Sequence, residues 1–343
     1  MNEVIVFGGS GYSGVEALRL LAWHPKVRVV GASSDRWAGR AVREVVAGWR
    51  GDLRFTPHDA LLSAIQAEQV ALLATPAKTS VELAPQLLDA GLRVVDLSGA
   101  FRLTSAQAYE QWYGFTHPRP DLLTDAQYGL PELIEAPATA RLVANPGCYA
   151  TASIMVLAPL FRAGLVAESA PIVLDGKSGT TGAGRSAKEA LLHAEVTENL
   201  RAYRVGAHQH TPEIERALQL AAHVDVRVNL TTHLVPMRRG ILVSAYISTK
   251  SGVTDNDVRA AFSSAYEAQP FVRWVDRPPE TAAVRDSNLI EIGATLDTRT
   301  GVLCAFGAID NLVKGAAGQA VQNLNRLLGY LTDLGLFPQG GPT

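Results

Sequence analysis

The first half of the chain alternates short apolar runs with segments whose apolar residues recur at helical spacing. Val4–Phe7 leads into a glycine-rich turn and a helix predicted near Tyr12–Trp23, and Val27–Ala32, Val70–Ala74, Arg93–Leu97 and Leu142–Ala144 follow as further strands. These runs are apolar on both faces, the pattern of strands buried on both sides in a parallel sheet covered by helices. The expected fold class is therefore α/β, opening with a Rossmann-type domain. Beyond Cys148 the pattern changes. Ile172–Asp175, Arg227–Pro236, Gly240–Ser248, Asn288–Leu296 and Val302–Ile309 often alternate apolar with polar residues, which predicts an α+β domain with a mostly antiparallel sheet. Near the end, Ala317, Ala320, Val321, Leu324 and Leu328 form an apolar helical stripe over 314–328; periodicity leaves open which domain it packs on.

Composition narrows the picture. A chain of 343 residues suits two domains, and 47% apolar with 19% charged residues is a globular balance. A net charge of −2 gives no reason to expect a nucleic acid or an acidic membrane as partner. No apolar run approaches the roughly 18 residues of a membrane span, and Met1-Asn2-Glu3 enters a strand without a signal-peptide pattern. Two cysteines do not make a disulfide framework, so a reducing, cytoplasmic setting is expected.

Gly8-Gly9-Ser10-Gly11-Tyr12-Ser13-Gly14 follows the first strand and opens the first helix. Glycines there allow a tight turn whose N–H groups approach a pyrophosphate at the helix N-terminus. The spacing departs from Gly-x-Gly-x-x-Gly, so an ordinary strand–helix turn is the alternative. The second strand ends in Ala32-Ser33-Ser34-Asp35-Arg36. Two hydroxyls and a guanidinium suit a 2′-phosphate, which favours NADP(H) with Ser33, Ser34 and Arg36 as contacts; Asp35 facing the ribose would reverse that preference.

Cys148 lies in Asn145-Pro146-Gly147-Cys148-Tyr149, between a predicted strand and a helix-like stretch from Ala150 to Leu160. A thiol at a helix N-terminus sits where the dipole favours an anion, and a cysteine pKa of about 8.5 can fall to roughly 3.5–7.5 in such places. A nucleophilic thiol together with a hydride carrier points to acyl-to-aldehyde chemistry through a thioester. The backbone N–H of Cys148 and the Asn145 amide are candidates for the oxyanion, although Asn145 also suits a turn. Ala207-His208-Gln209-His210-Thr211-Pro212-Glu213-Ile214 offers two histidines at a helix start as proton donors; a helix cap and a metal pair are the alternatives, and hydride transfer requires no metal. Asp175–Arg185 is a donor-rich glycine loop suited to a phosphate or carboxylate, and Arg102 is a second candidate anion clamp. Cys304, inside the apolar run Val302–Phe306, reads as a core thiol.

In this order the clusters resemble N-acetyl-γ-glutamyl-phosphate reductase, the arginine-biosynthesis member of the aspartate-semialdehyde dehydrogenase superfamily. The matching segments are GGSGYSGVE (8–16), YGLPEL (128–133), NPGCYAT (145–151), KSGTTGAGR (177–185), HQHTPEI (208–214) and IDNLVKGAAGQAVQ (309–322). The resemblance implies NADPH-dependent reduction of an acyl phosphate to N-acetylglutamate 5-semialdehyde. It implies Cys148 as nucleophile, His208 or His210 as acid/base, and Ser178, Gly179, Arg185 and Glu213 at the substrate. For the cofactor it implies Gly8, Ser10, Gly11, Tyr12, Ser13, Gly14, Ser178, Asn311 and Lys314. It further implies a discontinuous cofactor domain (1–148 with 313–343) around a catalytic and dimerisation domain (149–312), in a homodimer or homotetramer. Two segments depart from the family pattern. Ser98-Gly99-Ala100-Phe101-Arg102 stands where Ser-Ala-Asp-Phe-Arg is usual, and Ala150 leans toward the lysine-pathway sibling that acts on a carrier-bound aminoadipate phosphate.

Overall fold

The computed structural model describes residues 1–168 and 170–336; positions 337–343 of the expected C-terminal segment lie outside them. The chain divides into two compact units. The first comprises 1–131, 135–147 and the chain from 316, and the second comprises 132–134 and 148–315. Residues 313–315, expected with the cofactor domain, thus belong to the second unit, as does a short piece of the YGLPEL segment.

Seven strands build the sheet of the first unit: β1 (Asn2–Phe7), β2 (Val27–Ser33), β3 (Phe55–Thr56), β4 (Val70–Leu73), β5 (Arg93–Asp96), β6 (Gln127–Tyr128) and β7 (Leu142–Ala144). Their order is β3-β2-β1-β4-β5-β7-β6 and every pairing is parallel. Val4, Val6, Phe7, Leu72, Leu73, Val94 and Val143 are fully buried, as two-sided coverage by helices requires. Helix Tyr12–Leu21 follows β1, and the last helix, Gly318–Leu327, packs against it and against β5.

The second sheet contains β8 (Ile172–Ser178), β9 (Arg201–Tyr203), β10 (Val228–Leu234), β11 (Ile241–Ser248), β12 (Val272–Trp274), β13 (Ile290–Asp297) and β14 (Val302–Ile309), in the order β12-β13-β14-β11-β8-β10-β9. It is mixed. Its four central pairings and edges are antiparallel except β8 with β10 and β12 with β13, which run parallel. Helices Cys148–Arg162, His210–Ala222 and Asp255–Tyr266 pack on this unit's strands. Alternation along β11 buries Ile241, Val243, Ala245 and Ile247, while Tyr246 on the opposite face is 39% exposed. Among the described residues no helix is long and apolar enough to cross a membrane.

Candidate active site

In the first unit, Gly8 adopts φ +76°, and Gly11 N–H donates to Gly8 O at 3.0 Å. A Cβ on Gly14 would collide with the Gly8 carbonyl, so the turn closes only with glycine there. Gly11 caps helix Tyr12–Leu21 without a side chain, which leaves the helix N-terminus to an external anion, and Tyr12 and Ser13 open that helix. This cradle fits a dinucleotide pyrophosphate. Ser33 and Ser34 are 0% and 2% exposed and serve as buttresses rather than open donors. Ser33 Oγ accepts from Gly8 N at 3.2 Å, and Ser34 Oγ donates to Ser10 Oγ at 2.7 Å. Arg36 is exposed, and no side chain among the described residues engages it.

Two other candidates of this unit are more enclosed than the sequence suggests. Asn145 is fully buried; its Nδ2 donates to Ala316 O at 3.2 Å and its Oδ1 accepts from Asn323 at 2.9 Å. Its amide is thus hydrogen-bonded inside the unit. Arg102 is 5% exposed and donates to the carbonyls of Asn145 and Leu97, both at 2.8 Å. Ala100, which stands where the family has an acid, is fully buried, and a Cβ on the preceding Gly99 would collide with Tyr113. Tyr109 donates to Gly99 O at 3.0 Å and His117 Nε2 lies 2.9 Å from Ala100 O, so aromatic groups fix the 98–102 loop.

In the second unit, Cys148 is the first residue of helix Cys148–Arg162 and is partly exposed. A helix of this length places the positive end of its dipole at the thiol. Gly315 lies directly on it: a Cβ there would come within 2.8 Å of Cys148 Cβ. Cys304 is also partly exposed, on the alternate face of β14, so it is a sheet-face thiol and not the core thiol expected.

Both histidines join a ring cluster. His208 and His210 have centroids 4.7 Å apart, and Tyr149 meets them edge-on at 5.4 and 6.1 Å. Tyr203 adds a third contact to His208 at 5.9 Å and donates to the Tyr149 hydroxyl at 3.2 Å. Tyr149 lies flat on the strand where Gly176 has no side chain, since a Cβ there would be 2.5 Å from its ring. His210 N–H donates to His208 Nδ1 at 3.1 Å, which puts the His208 proton on Nε2. Burial, with His210 and Arg204 acting in the same direction, pushes the His208 pKa down to about 2. His210 opens helix His210–Ala222, and its Nε2 lies 3.9 Å from the carboxylate of wholly buried Glu213. Glu213 is therefore a partner of His210 and not an open substrate contact. Tyr149 and Tyr203 were not legible as site residues; Tyr203 lies on a three-residue edge strand with no motif around it.

The glycine loop is split by the pleat. Lys177 points to one face of β8, where its Nζ pairs with Asp175 at 2.6 Å, whereas Ser178 turns inward and is 2% exposed. Gly179 passes the 238–239 backbone so closely that a Cβ would stand 2.8 Å from Arg238 O. Thr181 donates to that carbonyl at 2.7 Å, and Arg185 at the loop's end is partly exposed. Asn311 donates to Thr181 Oγ1 at 3.0 Å and accepts from Gly240 N at 2.8 Å, so its amide pins this loop. Lys314 is fully buried and pairs with Glu132 at 2.5 Å. In this structure its ammonium is engaged by the Glu132 carboxylate. Among the described residues no group of three or more His, Cys, Asp or Glu could hold a metal ion.

A parallel-sheet unit with a glycine cradle, followed by a mixed-sheet unit opening on a helix-terminal thiol, defines a dehydrogenase of the semialdehyde type. The family described as "Semialdehyde dehydrogenase, NAD binding domain" matches residues 3–140, and "Semialdehyde dehydrogenase, dimerisation domain" matches residues 148–311. Among solved structures, aspartate semialdehyde dehydrogenase II of Vibrio cholerae superposes with a TM-score of 0.74 at 18% identity, covering 96% of this chain and 98% of that one. The chain belongs to the N-acetyl-γ-glutamyl-phosphate reductase family. It is 43% identical to the reductase of that name from Desulfotalea psychrophila, over 98% of both chains. It is 45% identical to the one from Geobacter sp. strain M21, again over 98% of both.

Proposed function

We propose that the protein reduces N-acetyl-γ-glutamyl phosphate to the 5-semialdehyde and phosphate, using NADP(H), with Cys148 as nucleophile. The observation that carries this reading is the thiol at the start of helix Cys148–Arg162, packed on Gly315 in the unit that also holds the His208/His210 pair. Cys148 Sγ adds to the acyl carbon, the carbon–oxygen bond to phosphate breaks, and phosphate departs with a proton. Gly8–Gly14 would hold the pyrophosphate of the dinucleotide, whose nicotinamide would supply the hydride that takes the thioester to the aldehyde level. Protonation of the substrate oxygen follows, and the carbon–sulfur bond then breaks to release aldehyde and regenerate the thiolate as that oxygen loses its proton.

The two histidines divide the work. With a pKa near 2 and its proton on Nε2, His208 is a neutral N–H donor for the developing oxyanion. His210, beside the Glu213 carboxylate, carries the proton. His210→Asn is expected to lower kcat by about 10²–10⁴. His208→Asn, which keeps an N–H donor, should cost only about 10-fold. Because His208 stays unprotonated far below neutral pH, its replacement should leave the acid limb of the kcat–pH profile in place. An acid limb that disappears with His208 and survives loss of His210 would reverse the assignment.

Ala150 is wholly buried in the first turn of its helix, so its difference from proline is a packing matter and gives no support to a carrier-bound substrate. A cytoplasmic homodimer is the proposed state, supported by the match to a dimerisation domain and by the exposed Tyr246 on the sheet face opposite Ile241 and Val243. The test of function is phosphate-dependent reduction of NADP⁺ with N-acetylglutamate 5-semialdehyde. Activity requiring both phosphate and the acetyl group is expected; a folded protein with a reactive Cys148 and no such activity would sink the proposal.

A further inference from the structure

Strand β2 ends at Ser33, and Asp35 follows two residues later. An acid near this point in an NAD-selective site bonds the ribose hydroxyls and repels a 2′-phosphate. Here the Asp35 carboxylate is bound elsewhere. Its Oδ1 accepts the backbone N–H of His58 at 2.9 Å, and its Oδ2 lies 3.8 Å from His58 Nε2. His58 is the first residue of helix His58–Leu62 and is itself fixed from two further directions. Its Nδ1 lies 2.8 Å from Ser33 Oγ, and its ring stacks on Phe7 of β1 at 6.2 Å and 11°. Since Ser33 Oγ accepts from Gly8 N–H, its own proton is left for His58 Nδ1. The ring N–H then falls on Nε2, facing the carboxylate. His58 thus links the first glycine of the turn and the end of β2, through its ring and Ser33, to Asp35, through its backbone N–H, while neighbouring Arg36 stays exposed.

We infer that His58 is a specificity-determining residue for 2′-phosphorylated dinucleotides: it holds the Asp35 carboxylate against its own helix start, so that Arg36 meets the phosphate. The inference rests on the NADP(H) reading above. The same interactions explain why a chain with an acid in this position takes the phosphorylated cofactor.

The test is a fluorescence titration of the full-length protein with NADPH and with NADH, reporting the ratio of the two dissociation constants. His58→Pro removes the N–H that holds Asp35 and the ring that faces it. Proline suits a first helical position, and Pro57 before it already has the extended ψ of 154° that a following proline requires. The preference for NADPH is expected to fall about tenfold in His58→Pro. Adding Asp35→Ala should restore it to within about threefold of wild type. His58→Ala, which keeps the N–H, should show a smaller fall in the same direction and guards against misfolding of the proline variant. An unchanged ratio in both His58 variants, or a fall that Asp35→Ala does not restore, overturns the inference while leaving the cofactor reading intact. A wild-type protein that prefers NADH overturns the cofactor reading itself, and the inference with it.

Discussion

Cys148→Ser should lower turnover by about three orders of magnitude or more while NADPH binding is kept, and Cys304→Ser should keep most of the activity. The physical difference between the two thiols is position. Both are partly exposed, so accessibility does not separate them. Cys148, however, stands at the N-terminus of a fifteen-residue helix, where the positive end of the dipole favours the thiolate that attacks. Cys304 lies mid-strand in β14, opposite Tyr246 and Thr295, with its backbone groups committed to the ladder on both sides. A strand offers no comparable field. Brief treatment of the wild-type protein with iodoacetamide, followed by peptide mass analysis, should place the label on Cys148 and show activity falling in step with it. Serine variants that lose activity equally, or a label confined to Cys304, would overturn the assignment.

What was legible in the chain depended on how local the signal was. Strands β1, β2, β4, β5 and β7 announce themselves as apolar runs because both faces of a parallel sheet are buried. The two-residue strands β3 and β6 carry no period, and helix Ala77–Asp89 hides behind Pro85 in its own interior. Gly8, Gly11, Gly14 and Cys148 were readable because a turn or a helix start dictates them from adjacent residues. The roles of Asn145, Glu213, Asn311 and Lys314 were not, since each depends on a partner distant in sequence or on a degree of burial that spacing does not report. The same holds for Tyr149, whose ring needs the vacancy at Gly176, and for His58, whose partners come from the ends of β1 and β2.

The pair of Glu132 and Lys314 makes the second large prediction. Both side chains are essentially out of solvent, at 1% and 0% exposure, and the contact joins the YGLPEL segment to the π-helical turn Val313–Ala317 that carries Gly315 against Cys148. Burial lowers the Lys314 pKa, and Glu132 opposes that by charge and hydrogen bonding. Glu132→Gln leaves the ammonium buried without its counter-charge, and breaking such a pair from one side costs about 3–5 kcal/mol. The double variant Glu132→Gln/Lys314→Met removes the stranded charge and should regain most of that loss, because a well-packed apolar replacement of a buried pair is often neutral. The sign of the pH response separates this from simple misfit. In Glu132→Gln the folded pKa of Lys314 drops further below its unfolded value of about 10.4, so between the two the unfolded chain binds more protons and stability must rise with pH. Denaturant midpoints measured at pH 7 and pH 9.5 should therefore converge toward wild type in the single variant as pH rises, whereas the double variant should show no such gain. A Glu132→Gln midpoint equal to wild type at pH 7, or a deficit that does not shrink with pH, would show that the pair does not hold this turn in place.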